Sequence, residues 1–136
     1  MGAFIAKLRQ VLAELARPGA MRNDWFAWAA GQTAHVGIGV VLAGVLLFFL
    51  PPLWAFAAAA LGYALAKEVP DFLKNRTWAN ARDCVQDALF VAAGAALSVA
   101  IASAHDRLFF AALIAAVVGL WLGVVARLTL TNKTPK

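Results

Sequence analysis

The chain contains 136 residues, of which 63% are hydrophobic and 14% are charged, and its mean hydropathy is +0.77. Soluble domains have roughly 45–50% apolar and about 25% charged residues, so this composition excludes a water-soluble domain, and it also excludes a disordered chain. The net charge of +5 is better explained by membrane topology and by contacts with anionic lipid headgroups than by nucleic-acid binding, and we expect one small integral membrane domain.

The first predicted element is an amphipathic helix over residues 3–17. Its apolar residues recur at helical spacing, with most of the basic and polar residues elsewhere on the helix. Basic amphipathic helices of this kind lie in the membrane interface. Pro18 and Gly19 end the helix, and Trp25 and Trp28 then belong to an aromatic belt that anchors the first membrane span.

Four apolar stretches approach the roughly 20 residues that a transmembrane helix needs. They are residues 33–50, 53–69, 82–104 and 108–130. Pro51 and Pro52 end the first stretch and Pro70 ends the second, because proline cannot continue a helix. The expected fold is an all-α integral membrane four-helix bundle, preceded by the amphipathic interfacial N-terminal helix.

The distribution of lysine and arginine predicts the orientation. With four spans, eleven of the 12 basic residues lie on one side of the membrane, and only Arg107 lies on the other. They occupy the N-terminal segment, the connection between the second and third spans, and the C-terminal tail. Basic residues are enriched in cytoplasmic loops. We therefore expect a multi-pass protein of the bacterial inner (cytoplasmic) membrane with both termini cytoplasmic.

Acidic residues of the second and third predicted spans form the candidate site. Glu68 and Asp71 are three residues apart, and Asp83 and Asp87 are four apart, so each pair shares a helix face. If the two helices are neighbours, all four carboxylates approach one pocket on the cytoplasmic side. His35 enters the first span at the same depth, and we interpret His35 and Asp71 as partners of the other acids.

Several chemistries suit this pocket. Its oxygen ligands can hold a hard divalent cation such as Mg²⁺, or its side chains can transfer protons or act as acid and base on a lipid headgroup. In that interpretation Asp83, Asp87 and Glu68 carry the site, and Arg82 is a counter-ion or phosphate contact. The alternative is a structural network, with acids that favour a helix N-terminus and pair with Lys67 and Arg82. The sequence contains no standard catalytic motif, so enzymatic activity is left open.

The order of these polar residues resembles that of the VanZ-like and YfiM-like small membrane or envelope proteins, over residues 31–94. Those proteins share a His in the first segment, a Glu near the end of the second, and Asp-x-x-x-Asp or Asp-x-x-x-Asn followed by glycine. The matching residues are His35, Glu68, Asp83, Asp87 and Gly94. Gly31 and Gln32 replace the family's Asp-Lys, and Phe90 stands where a glycine is expected. The resemblance implies a role in cell-envelope or lipid-headgroup biology, where some members confer tolerance to glycopeptides.

Two other classes fit a small chain with Ala- and Gly-rich spans. One is a phage holin or related lysis protein that oligomerises to permeabilise the membrane, which the basic tail with Lys133 and Lys136 suits. A hole-forming protein has no evident need for acids matched in depth with a histidine. The other class is a subunit of a larger membrane complex, bound through small-residue helix faces. Cys84, the single cysteine, is interpreted as a packing residue.

Overall fold

The computed structural model describes residues 25–131. Its elements are α1 (Trp25–Leu46), α2 (Pro52–Tyr63), a π-helical segment (Ala64–Glu68), α3 (Val69–Lys74), α4 (Trp78–Ala102) and α5 (Asp106–Thr131). No strand occurs within this range, so the predicted all-α class is confirmed. The amphipathic helix predicted over residues 3–17 lies outside the described residues.

Three of the helices, α1, α4 and α5, are long and apolar enough to cross a membrane. Large apolar side chains are exposed along all three, among them Val41, Leu89 and Ile114, at 64%, 63% and 60%. Soluble proteins rarely expose apolar surface on this scale, and these findings fit a helical membrane protein. With 12 residues, α2 by itself is shorter than a typical span of about 17–25 residues. The fourth crossing therefore stays a prediction.

The helix ends differ from the predicted ones at the first and third spans. Trp25 and Trp28, placed ahead of the first span by the sequence, lie on α1 itself, which ends at Leu46 before a turn. The next long helix, α4, begins at Trp78, earlier than predicted. Thr77 caps α4, because its Oγ1 accepts a hydrogen bond of 3.2 Å from the backbone N–H of Asn80.

The helical chain also continues through Pro70, which corrects the predicted end of the second span. Proline has no N–H, and its ring collides with the carbonyl four residues earlier in an α-helix. The chain accommodates Pro70 by widening the preceding turn into the π-helical segment, in which the Val69 N–H bonds the carbonyl of Ala64. The helix therefore runs on to Lys74, and Glu68 lies at the end of the widened turn.

Residues of the chain form two compact units. The described part of the first is 25–31 with 120–131, and the second is Gln32–Gly119. In the first unit the Arg127 guanidinium lies 4.0 Å from the centroid of the Trp28 ring, and its Nη1 donates a hydrogen bond of 3.2 Å to the carbonyl of Gly123. Arg127 is one of the basic residues that the sequence assigns to the cytoplasmic C-terminal region, but it is buried on α5.

In the second unit, α1 and α4 touch through their glycines. A Cβ at Gly39 would overlap the carbonyl oxygen of Val91, and a Cβ at Gly94 would overlap that of Val36. Two helix backbones can approach this closely only where side chains are absent. The double contact fixes the register of α1 against α4. The core beside it consists of small residues from three helices, Ala43, Ala59, Ala95 and Val99.

Candidate functional site

Side chains from three helical segments of the second unit meet at one point. They are His35 of α1, Glu68 of the π-helical segment and Asp87 of α4. One nitrogen or carboxylate oxygen from each lies within 4.8 Å of those from the other two. Glu68 is only 5% exposed, while His35 and Asp87 are half-buried. We call these three residues the acidic cluster.

The carboxylate of Asp87 is oriented from α1. Gln32 Nε2 donates a hydrogen bond of 2.7 Å to Asp87 Oδ1. The other oxygen, Oδ2, lies 3.8 Å from His35 Nε2. Gln32 and His35 are three residues apart and therefore share one face of α1. The amide thus holds one oxygen of Asp87 and leaves the second oxygen beside the imidazole.

The π-helical segment determines which side chains lie beside Glu68. Residues five apart stack in a π turn, and Tyr63, five residues before Glu68, lies beside its carboxylate, as does Cys84 of α4. The Tyr63 ring also packs edge-on against His35, with centroids 5.9 Å apart. Even so, Glu68 Oε1 is buried and has no hydrogen-bond partner among the described residues.

The second unit has a surplus of buried acceptors. Its buried side-chain polar atoms that lack a hydrogen-bond partner within the described range are all oxygens, on Gln32, Glu68, Asp83 and Gln86. Burying an unsatisfied polar group costs about 1–3 kcal/mol. Oxygens of this kind are satisfied by donors or by cations. The region is therefore suited chemically to bind a cation or a protonated group.

Asp71 lies in a different environment from the acidic cluster. Its carboxylate accepts hydrogen bonds from Lys67 and from Lys74, the latter at 3.2 Å, on the exposed side of the helix. The Lys67 ammonium, assisted by Lys74, lowers the pKa of Asp71 below its ordinary value of 3.8. We call these three residues the surface trio. The structure places Asp71 in this trio and not beside His35.

The structure thus brings together three of the six residues that the sequence singled out, Glu68, Asp87 and His35. Asp83 lies one turn before Asp87 on α4 and is half-buried, but it is not part of the acidic cluster. The side chain of Arg82 is exposed. The sequence predicts ion pairs for both Lys67 and Arg82. Lys67 forms one with Asp71, whereas the contacts of the described residues include none for Arg82.

The sequence pattern indicates no role for Gln32 and only a packing role for Cys84. The spacing of Gln32 and His35 was a usable signal, because residues three apart share a helix face. The position of Tyr63 beside Glu68 depends on a π turn. Pro70, two residues after Glu68, was the available sign of that turn, since proline forces a helix to end or to rearrange.

No protein-family model, curated protein or solved structure matches this chain. Its function is therefore inferred from the geometry of the acidic cluster and from the chemistry of the side chains around it.

Proposed function

We propose that the chain is a VanZ-like, multi-pass protein of the bacterial inner membrane that acts in cell-envelope biology, and that the acidic cluster binds the polar headgroup of an envelope lipid. One observation carries the proposal: Glu68 is buried beside His35 and Asp87 with a carboxylate oxygen unsatisfied. Ionisable groups are costly among membrane helices and usually serve function there.

In the proposed topology, both termini and the connection between α3 and α4 are cytoplasmic. The exposed Lys74 and Arg76 of this connection support it, because basic residues favour the cytoplasmic side and attract anionic headgroups. The helical run from Pro52 to Val69 supplies the fourth crossing, because 18 residues at 1.5 Å each extend over roughly 27 Å, close to the thickness of the hydrocarbon core. The last residues of the run, from Asp71 to Lys74, extend beyond it on the cytoplasmic side.

The acidic cluster can also move protons. His35 Nε2 lies 3.8 Å from a carboxylate oxygen of Asp87, and an imidazole beside a carboxylate supplies groups that can act as acid and base. A headgroup placed between them can lose a proton to one side chain and gain one from the other. Gln32 keeps Asp87 in the required orientation.

The test compares matched variants in a bacterial host. Wild type, Glu68→Gln, Asp87→Asn and the control Asp71→Asn are expressed, and turbidity, dye entry, glycopeptide susceptibility and phospholipid headgroup composition are followed. We expect intact membranes and a change in susceptibility or headgroup composition relative to an empty vector. Glu68→Gln and Asp87→Asn should abolish that change, whereas Asp71→Asn should retain it because Asp71 lies in the surface trio.

Three results would contradict the proposal. Abrupt, timed dye entry with the wild-type chain would identify a holin-type lysis protein. Stoichiometric co-purification with other membrane proteins, without any change in the envelope, would identify a subunit of a larger complex. Wild-type behaviour of both Glu68→Gln and Asp87→Asn at equal expression would show that the acidic cluster is structural.

A further inference from the structure

We propose that the acidic cluster is a binding site for one divalent transition-metal ion of the first row, ligated by His35 Nε2, a carboxylate oxygen of Glu68 and Asp87 Oδ2. The inference deepens the proposed function, and it rests on that function only for the identity of the group that completes the coordination.

The distances between the side chains of the acidic cluster suit coordination of a shared metal ion better than direct hydrogen bonds between the side chains. His35 Nε2 and Asp87 Oδ2 are 3.8 Å apart, which is too long for a hydrogen bond. Two donors bound to one Zn²⁺ at about 2.1 Å are roughly 3.4 Å apart in tetrahedral geometry. One ligand atom from each of the three residues already lies within 4.8 Å of those of the other two. Small side-chain rotations therefore complete the site without movement of the helices.

The negative charge of the acidic cluster also favours a bound divalent cation. A metal binds deprotonated carboxylates and a neutral imidazole. The three ligand side chains together therefore carry a charge of −2. Lys67 bonds Asp71 and offsets the charges of Glu68 and Asp87 only through longer-range electrostatic interaction. A divalent cation balances the two carboxylates and satisfies the buried Oε1 of Glu68, which has no partner among the described residues.

Neighbouring side chains fix the ligands in place. Gln32 Nε2 holds Asp87 Oδ1 at 2.7 Å, and Tyr63 packs edge-on against the His35 ring. Metal ligands in proteins are usually oriented by hydrogen bonds of this kind, and the loss of such a bond typically lowers affinity about 10–100-fold. Asp87 and His35 are thus oriented independently of any ion.

The donor set selects the class of metal. Mg²⁺ and Ca²⁺ prefer oxygen ligands alone, which was the basis of the sequence-level expectation of Mg²⁺. An imidazole nitrogen together with two carboxylates suits Zn²⁺, Fe²⁺ or Mn²⁺. Three protein ligands leave at least one coordination position open. A headgroup phosphate oxygen can occupy that position, because the bound cation offsets the charge of the two carboxylates.

The test uses the full chain, purified in detergent and stripped with a chelator. Zn²⁺ is titrated calorimetrically, and Co²⁺ is titrated while its visible absorption is recorded. We expect one equivalent of Zn²⁺ to bind, a tetrahedral or five-coordinate Co²⁺ spectrum, and no displacement by millimolar Mg²⁺. Glu68→Gln and His35→Gln should each weaken binding more than about tenfold, and Gln32→Ala about 10–100-fold.

Two variants serve as controls. Asp71→Asn removes an acid from the surface trio, and His105→Gln removes an exposed histidine, so both should bind Zn²⁺ as the wild type does. Circular dichroism and gel filtration establish that each variant is folded, and the Co²⁺ spectrum of the wild type tests the ligand set without any substitution. Substoichiometric Zn²⁺ binding, unchanged affinity in Glu68→Gln, or displacement by Mg²⁺ would overturn the inference. If these occurred while the wild type still altered the envelope, the proposed function would survive alone.

Discussion

Glu68 and Asp71 are three residues apart on one helical run, and they have opposite surroundings. Glu68 is buried with an oxygen that no described group satisfies, whereas Asp71 is bonded by two lysines on the exposed side. Lys67, next to Glu68 in sequence, bonds Asp71 because residues four apart share a helix face. The comparison shows that burial, and not the number of acids in a segment, separates a candidate site from an ordinary surface ion pair.

The largest loss of stability should come from separating α1 and α4, two of the helices that carry the acidic cluster. Gly39→Val places a side chain against the carbonyl of Val91, and we expect a loss of about 3 kcal/mol in stability, since backbone overlap is not relieved by rotamer changes. Gly37→Val is the control, because nothing lies within 4 Å of a Cβ at Gly37. Thermal unfolding in detergent measures both. Equal melting temperatures would mean that the glycine contact does not hold α1 against α4.

A second prediction concerns the charge on Glu68. In chelator, Glu68→Gln should stabilise the protein by about 1–2 kcal/mol, because it removes a poorly satisfied buried carboxylate and keeps an acceptor oxygen beside Tyr63. Asp71→Asn should instead destabilise it slightly. Unfolding of the three proteins under identical conditions gives the sign of each change. Destabilisation by Glu68→Gln in chelator would show that the carboxylate is satisfied in the folded protein.

The π-helical segment can be removed by Pro70→Ala. With an N–H restored at residue 70, the helix can adopt ordinary α geometry, and Glu68 should turn away from Tyr63 and towards the surroundings of Asp71. We expect total helicity to be unchanged and Zn²⁺ affinity to fall about tenfold, equivalent to about 1.4 kcal/mol. Calorimetry and circular dichroism on the same sample measure the two quantities. Wild-type Zn²⁺ affinity would show that the position of Glu68 does not depend on the π turn.

The smallest effect belongs to the surface trio. Because Lys67 and Lys74 lower the pKa of Asp71 below 3.8, the folded state is favoured when this carboxylate is charged. Its contribution is therefore present above the ordinary Asp pKa and is lost as the pH falls through the lowered value. Exposed pairs at this spacing contribute about 0.3–0.5 kcal/mol. Wild type and Asp71→Asn should differ by this amount at pH 6 and converge as the pH falls below the lowered pKa of Asp71, and a difference that did not shrink in acid would contradict the assignment.

The sequence predicted the elements that depend on composition and spacing. Apolar stretches predicted the helices α1, α4 and α5. The matching depth of His35, Glu68 and Asp87 in their predicted spans indicated that these three side chains lie close together. The sequence did not predict that the helix continues through Pro70, because a proline is compatible either with a helix end or with a rearranged π turn. Spacing also could not separate Asp71 from Glu68, since both lie near one helix end and only tertiary burial distinguishes them.

The stacking of Arg127 on Trp28 has a consequence for biosynthesis. Trp28 belongs to α1, which is translated before α5, the helix that carries Arg127. Because folding during synthesis begins from the N-terminal side, the contact between the two residues cannot form until α5 has been translated. The ring also lies over Gly123, where a Cβ would collide with it. The described part of the first unit is therefore complete only after α5 has been translated and its Arg127 has packed on Trp28.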